Sequence, residues 1–415
     1  MDKIKIIGGN RLEGEVSVSG AKNASLPILA ACLLTKGECI LHGVPRLQDV
    51  EVMVEVLHSL GAQVKWEGST LVISAHDLLA AEVPENLMRK MRASNLVMGA
   101  LLGRCGHFKA FTPGGCAIGS RPMDIHLKGF IKLGAKIDQE YGYIMGESSR
   151  VKGSNIHLDF PSVGATENLM MAAALAEGVT FIRNAAKEPE IMDLQNFLCS
   201  LGARIQGAGT HEIRIEGVTY LGDGEHTVIP DRIETGTFLV AGAITGGEVR
   251  VLNAVEEHSE AVLVKLREAG AEVLVEKDGI VIRGGTCMKA VDIKTLPYPG
   301  FPTDMQPQMM VLLSLVKGTS VVTETIFESR FKHVDELHRM GAKIRLEGRT
   351  AIIYGASRLT GATVEASDLR AGAALVLAGL AAEGKTLIEG VGHLDRGYEG
   401  LEAKFKALGA NICRK

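Results

Sequence analysis

A Gly-Ala pair that closes a stretch of helical apolar spacing recurs six times in this chain. It stands at Gly61, Gly134, Gly202, Gly270, Gly341 and Gly409, at intervals of 68 to 73 residues. So regular a period marks an architecture built from copies of one unit. Ahead of the Gly, runs such as VMVEVLHSL and AVLVKLREA place apolar residues on one helical face. The Gly predicts a helix end that needs a left-handed residue. Beyond it, AQVKWEGSTLVIS and AKIRLEGRTAIIYG each read as strand, tight turn and strand.

A second echo falls about half a period away. LPILAACLLTKGECILHGV, NLMMAAALAEGVTFIRNA and TFLVAGAITGGEVRVLNA each give a small-residue apolar helix, a Gly stop and a β-branched strand. Helices apolar nearly all round belong in an interior. The class is therefore α/β, with six copies of one unit and three copies per domain. The Gly-, Asp- and Pro-bearing stretch GDGEHTVIPDRIETG, residues 222–236, falls between copies three and four and marks the seam. Residues 20–230 are expected to form the first domain, and residues 231–415 with 1–19 the second, because the strand KIKIIGG precedes the first full unit.

Composition narrows the function classes. With 46% hydrophobic and 23% charged residues among 415, the chain reads as soluble and globular. A net charge of −4 without long single-sign runs argues against nucleic-acid or membrane-surface partners. Apolar runs stay well short of the roughly 20 residues that span a bilayer. Seven cysteines, none in a CxxC pair, and no apolar signal core in MDKIKIIGGN point to reduced thiols and a cytoplasmic location. There is no HExxH, P-loop or strand-borne GxGxxG, so neither metal nor nucleotide cofactor is expected.

The informative segments are those that depart from their echoes. SGAKNASLP sets Lys22 and Asn23 at the opening of the first buried helix, where free amides attract anions; the alternative is a solvated Lys with Asn23 or Ser25 as a cap. Arg92 and Ser94 precede a second buried helix, and Ser162, Val163 and Gly164 a third, either as anion contacts or as ordinary caps. PGGCAIGSRPMDIHL has no counterpart in other copies. Its prolines and glycines put Cys116 on a loop, with Arg121 nearby to favour the thiolate. Cys32, Cys199 and Cys287 read instead as core fillers or as silent. YPGFPTDMQPQ holds Asp304 in a rigid loop, as a positioned carboxylate or as a turn former. Arg330, Arg370 and Arg396 fall at comparable unit ends. With Lys22, Arg92 and Arg121 they suggest a cleft for a small substrate with several negative charges.

These motifs, SGAKNASLP, PGGCAIGSRP, SVGATEN, PDRIETGTF, YPGFPTDMQ and SDLRAGAALVLAG, together resemble the enolpyruvyl transferase family, and within it the UDP-N-acetylglucosamine 1-carboxyvinyltransferases, over effectively the whole chain. The resemblance implies two inside-out α/β barrel domains with threefold internal repetition. It implies transfer of an enolpyruvyl group from phosphoenolpyruvate to the 3′-hydroxyl of UDP-N-acetylglucosamine, the first committed step of peptidoglycan precursor synthesis. Lys22, Arg121 and Arg396 would surround phosphoenolpyruvate, with Arg330 and Arg370 near, and Asn23 would lie where the substrates meet. Arg92, Arg121, Pro122, Met123, Asp124, Ile125, Ser162, Val163, Gly164, Asp304 and Ile326 would contact the nucleotide sugar. Cys116 would donate a proton and be open to alkylation by fosfomycin, and Asp304 would receive the hydroxyl proton. Phe160 stands where some relatives carry a lysine, so a lysine contact to the diphosphate does not transfer. No cofactor or metal is implied, and the protein would act as a monomer or weak oligomer. The rival acceptor is shikimate 3-phosphate; a weakly active regulatory paralogue is a further reading.

Overall fold

The computed structural model describes residues 2–112, 123–285, 288–356 and 358–415, except the Arg92 side chain. They fall into two compact units, one running from Gly20 to Ile229, the other combining residues up to Ser19 with Pro230–Lys415.

Each unit is built around three inner helices. In the first these are Lys22–Ala31, Val97–Cys105 and Val163–Ala174; in the second, Arg232–Thr245, Gln306–Leu315 and Leu369–Ala381. Their sequences lack a polar face, and they are buried almost throughout. Small residues let them approach closely. A Cβ added at Gly99 would come within 2.2 Å of the Asn168 carbonyl oxygen on the facing helix.

The outer helices carry the repeated Gly-Ala pair, and all six of its glycines adopt positive φ, from 91° to 102°. The hydrogen bonding is the same each time. Gly61 N–H donates to the His58 carbonyl and Ala62 N–H to the Leu57 carbonyl, both at 3.0 Å; the pair recurs at Gly134, Gly202, Gly270, Gly341 and Gly409. This is the Schellman stop, in which two amides past the helix satisfy two of its last carbonyls. The flanking residues, Leu60 and Ala62 in the first copy, are buried, so the helix end is pinned by packing as well.

Among the described residues the strands form six separate sheets, three per unit, and none closes into a barrel. Five have the same plan, a parallel edge strand beside the strand that follows an inner helix and then two antiparallel strands; in four of them those two strands form a hairpin, and in the fifth they are Ile4–Ile7 and Asn411–Arg414. In the sixth, His107–Phe111 meets only a single parallel bridge, Glu82 to Lys109, in place of the edge strand. Strands alternate buried and open residues, as in Glu248–Leu252, so one face of each sheet lies on the helices. Both strands before Ser19 serve the second unit: Ile4–Ile7 lies between Lys385–Glu389 and Asn411–Arg414, and Glu13–Ser17 edges Glu248–Leu252. Conversely, Gly224–Thr227 edges Glu38–His42 in the first unit. Cys32 is buried as a core filler, but Cys199 is exposed at the end of its helix, and Cys287 lies outside the described residues.

Candidate active site

Asp304 sits in the short helical turn Thr303–Met305 that opens the inner helix Gln306–Leu315. The proline-rich stretch before it folds back on itself: Leu296 N–H donates to the Phe301 carbonyl at 3.0 Å and Gly300 N–H to the Pro297 carbonyl at 2.9 Å. Two arginines converge on the carboxylate. Arg330 Nη2 donates to Oδ1 at 2.8 Å; Arg370 Nε and Nη2 donate to Oδ2 at 3.2 and 3.0 Å. Both arginine side chains are 3% exposed, against 25% for Asp304. Two cations buried around one anion require close, well-aligned hydrogen bonds to hold them there. Arg330 Nε and Arg370 Nη1 are buried without a well-aligned acceptor among the described residues.

The motif SDLRAG explains how Arg370 reaches this place. Asp368 caps Leu369–Ala381 by accepting from Arg370 N–H and Ala371 N–H, at 3.0 and 3.1 Å, which fixes Arg370 in the first turn. Burial opposes the Arg370 charge, but Asp304, Tyr398 and Asp231 outweigh it and push the pKa further up. Tyr398 lies beneath, its pKa raised by burial against the effect of Arg370. Its hydroxyl meets Thr237 Oγ1 at 2.9 Å and Gln308 Nε2 at 3.3 Å. His333, three residues after Arg330, is buried, and burial holds its pKa down to about 4 against the opposing pull of Asp368.

Arg396 ends the turn Val391–Arg396, half-buried. That turn packs on the helix headed by Arg370: a Cβ at Gly397 would fall 2.5 Å from Leu369 Cδ2. Ile326 N–H donates to buried Glu324 Oε1 at 2.8 Å.

In the first unit, Lys22 begins its helix with Nζ 3.4 Å from Asp49 Oδ2; the side chains are 14% and 5% exposed. No side chain caps this helix, since Ala21 holds the cap position and Ser25 Oγ donates back to the Ala21 carbonyl at 2.9 Å. The capping alternative for Asn23 and Ser25 is therefore not realised. Asn23 is half-buried in the first turn.

Ser162 does cap Val163–Ala174, its Oγ accepting from Ala165 N–H at 3.4 Å, and Val163 and Gly164 form the first turn. Met123, Asp124 and Ile125 open the neighbouring helix Asp124–Lys132. Asn95, in the turn begun by Arg92, donates from Nδ2 to Met123 Sδ at 3.2 Å. One residue passed over in the sequence joins these segments. Fully buried Asn168 accepts from Gly99 N–H at 2.7 Å and directs its Nδ2 at the Asn95 and Gly164 carbonyls, each at 3.3 Å, and at His126 Nδ1 at 3.1 Å. The signal for it was faint: one amide within the apolar run of SVGATENLMMAAA. Cys116, Arg121, Pro122 and the Arg92 side chain lie outside the described residues.

The chain is thus equipped, around Asp304, to hold anionic groups beside a carboxylate that can take a proton. A family model described as EPSP synthase (3-phosphoshikimate 1-carboxyvinyltransferase) matches residues 6–405. A protein of Caldanaerobacter subterraneus subsp. tengcongensis named UDP-N-acetylglucosamine 1-carboxyvinyltransferase 2 is 57% identical over 417 residues, covering 100% of both chains. A Symbiobacterium thermophilum protein named UDP-N-acetylglucosamine 1-carboxyvinyltransferase 1 is also 57% identical, over 100% of this chain and 95% of its own. Among solved structures, the enolpyruvyl transferase NikO from Streptomyces tendae superposes with a TM-score of 0.89 at 25% identity, covering 100% of this chain and 99% of NikO. An EPSP synthase from Acinetobacter baumannii gives 0.79 at 18% identity with full coverage of both chains. The family model over residues 6–405 and the whole-length identity agree, and the chain belongs to the EPSP synthase family of enolpyruvyl transferases.

Proposed function

We propose that this chain transfers the enolpyruvyl group of phosphoenolpyruvate to the 3′-hydroxyl of UDP-N-acetylglucosamine, releasing phosphate, in peptidoglycan precursor synthesis and thus in cell-wall biogenesis. The observation that carries this reading is the 57% identity, end to end, with proteins named for that activity, against 18% with a solved EPSP synthase. The cluster around Asp304 supports it, because the substrate brings a carboxylate and a phosphate that guanidinium groups bind bidentately. Arriving anions take up donors of Arg330 and Arg370 that now serve Asp304, and free a carboxylate oxygen to accept the acceptor's hydroxyl proton. The sugar oxygen bonds to the phosphate-bearing carbon while Cys116 delivers a proton to the methylene carbon. The Cys116 thiolate then takes a proton back from that carbon while phosphate departs and carries off the proton held by Asp304, which restores the enol ether and both side chains, so atoms and charge balance. Lys22 and Arg396, with Arg121, hold the phosphate as it leaves. Arg92, Arg121, Pro122, Met123, Asp124, Ile125, Ser162, Val163, Gly164, Asp304 and Ile326 contact the nucleotide sugar, and Asn23 lies where the two substrates meet. Action in the cytoplasm as a monomer or weak oligomer is part of this proposal; no helix among the described residues is long and apolar enough to cross a membrane.

Phosphate release from phosphoenolpyruvate, measured with UDP-N-acetylglucosamine and separately with shikimate 3-phosphate, tests the reading. Release with the nucleotide sugar alone, abolished by fosfomycin in the wild type, is expected. Release with the shikimate compound alone would overturn it.

A further inference from the structure

Glu324 directly follows the strand Thr319–Thr323 and is 1% exposed, yet its two oxygens collect four donors. Oε1 accepts from Ile326 N–H at 2.8 Å, Phe327 N–H at 3.1 Å and Thr295 Oγ1 at 2.9 Å. Oε2 accepts from Thr303 Oγ1 at 2.9 Å. A buried carboxylate is tolerated only when its lone pairs are filled in this way. What it joins is the informative part. On one side is the turn of Ile326, which the proposed function places against the nucleotide sugar. On the other is Thr303, the residue immediately before Asp304, in the same helical turn. Thr295 locks both to the base of the proline-rich loop: its Oγ1 accepts from Thr325 N–H at 2.9 Å, and Thr325 Oγ1 donates to the Thr295 carbonyl at 2.5 Å.

We propose that Glu324 is a positioning residue for the transfer, holding the turn of Ile326 and the turn of Asp304 in a fixed relation so that an acceptor seated on the first presents its hydroxyl to the second. This rests on the functional reading above. The division of labour between the two oxygens makes it specific. Oε1 orders the acceptor-side turn through backbone amides, which no side-chain change elsewhere can replace. Oε2 acts on Asp304 through one hydroxyl, which a single substitution removes. An apolar substitution at Glu324 frees both turns, whereas Glu324→Gln keeps one oxygen for the three Oε1 donors and turns an amide toward Thr303, whose hydroxyl can accept.

The test is steady-state phosphate release with varied UDP-N-acetylglucosamine for the wild type, Glu324→Ala, Glu324→Gln and Thr303→Val, with circular dichroism and thermal unfolding of each. Glu324→Ala is expected to raise the acceptor's KM and to lower kcat, together roughly 10²-fold in kcat/KM, the scale of an ångström misplacement. Thr303→Val should lower kcat about fivefold to tenfold with acceptor KM unchanged, since it loosens only the Asp304 side. Glu324→Gln should regain most of the acceptor affinity. A folded Glu324→Ala with kcat and KM within about twofold of wild type overturns the proposal. Should Glu324→Ala fail to fold, Thr303→Val decides: wild-type kcat overturns the proposal and a kcat-only loss supports it. A wild type inactive with UDP-N-acetylglucosamine but active with shikimate 3-phosphate fails the functional reading instead, and the same variants then report on Glu324 with that acceptor.

Discussion

The proposed function gives Asp304 two jobs that a single substitution can separate. Its charge holds two buried guanidinium groups, and its oxygens can take a proton. Asp304→Asn keeps the shape and removes the charge. Turnover is expected to fall roughly 10²- to 10⁴-fold, the range for loss of a general base. Stability should fall by about 2 kcal/mol, below the full cost of breaking a buried pair because the carboxylate is a quarter exposed. Phosphate in the buffer should restore part of that stability by supplying the missing anion. Thermal unfolding with and without phosphate, set beside phosphate-release kinetics, checks both halves; a destabilised variant with full turnover would remove Asp304 from the chemistry. His333 gives a pH signature of its own. Its folded pKa lies near 4, below the usual 6.5, because burial disfavours the imidazolium. The unfolded chain therefore binds the proton first as pH falls. The stability this group contributes is complete above about pH 6.5 and is lost as pH drops toward 4. Between pH 7.5 and 5 that amounts to about 2 kcal/mol. Urea unfolding at these two pH values should show His333→Leu losing less stability on acidification than the wild type, and an equal loss in both would discard the argument. The sequence made Asp304, Arg330 and Arg370 legible because each is a polar break in a pattern that repeats without it. Glu324 and Asn168 were not legible. Beside their near backbone partners they depend on groups brought close only by tertiary folding, the Thr295 and Thr303 hydroxyls for Glu324 and the Gly99 amide and Asn95 carbonyl for Asn168, and a lone polar residue beside an apolar run has no periodicity to betray it.

The repeated Gly-Ala pair shows how much one local rule can fix. Six helices stop the same way because each stop needs a left-handed residue and two amides aimed backwards, and Gly followed by a small buried residue provides both. This much of the fold was readable from spacing. The crossing of the inner helices was not, since Gly99 and Gly103 read only as small residues in an apolar stretch, with nothing in the spacing to say which helix would press on them. The two kinds of glycine predict opposite origins for a similar loss. At Gly202 nothing lies within 4 Å of an added Cβ, so Gly202→Ala suffers only from φ of 101°, about 1 kcal/mol. At Gly99 the backbone is helical, and alanine would ordinarily gain about 1 kcal/mol there. The Asn168 carbonyl 2.2 Å away reverses the sign, and the facing helices must part at a cost of about 1–3 kcal/mol. Because Asn168 also ties the turns at Asn95 and Gly164, Gly99→Ala should raise the KM for the nucleotide sugar, while Gly202→Ala should leave kinetics alone. Denaturant melts with kinetics on both variants separate the two cases.

At the scale of the molecule, the chain gives its first strands away. Ile4–Ile7 is not an edge but an interior strand, hydrogen-bonded on both sides to segments some four hundred residues later in sequence, and Ile4 and Ile6 are fully buried. Nothing local forces this. A short β-branched strand at the start of a chain reads the same whether it pairs with its neighbour or with the far end, so only position in the repeat hinted at its partner. The arrangement makes the unit of residues 230–415 depend on a segment remote in sequence, whereas the unit from Gly20 to Ile229 has its own core. Deleting residues 2–8 should therefore act on one unit only. Two buried isoleucines account for about 4 kcal/mol of lost burial, before the hydrogen bonds of a sheet split down its middle. Hydrogen exchange followed by mass spectrometry is the direct check. Protection should fall across Thr363–Glu365, Lys385–Glu389 and Asn411–Arg414 and extend into Leu369–Ala381, which packs on these strands, with Arg370 and then Asp304 losing their fixed geometry. Protection should persist in Val97–Cys105 and Val163–Ala174, whose packing the deletion does not touch. Uniform loss in both units would mean that they fold as one cooperative body; retained protection throughout would mean that the first strand does not hold the sheet together.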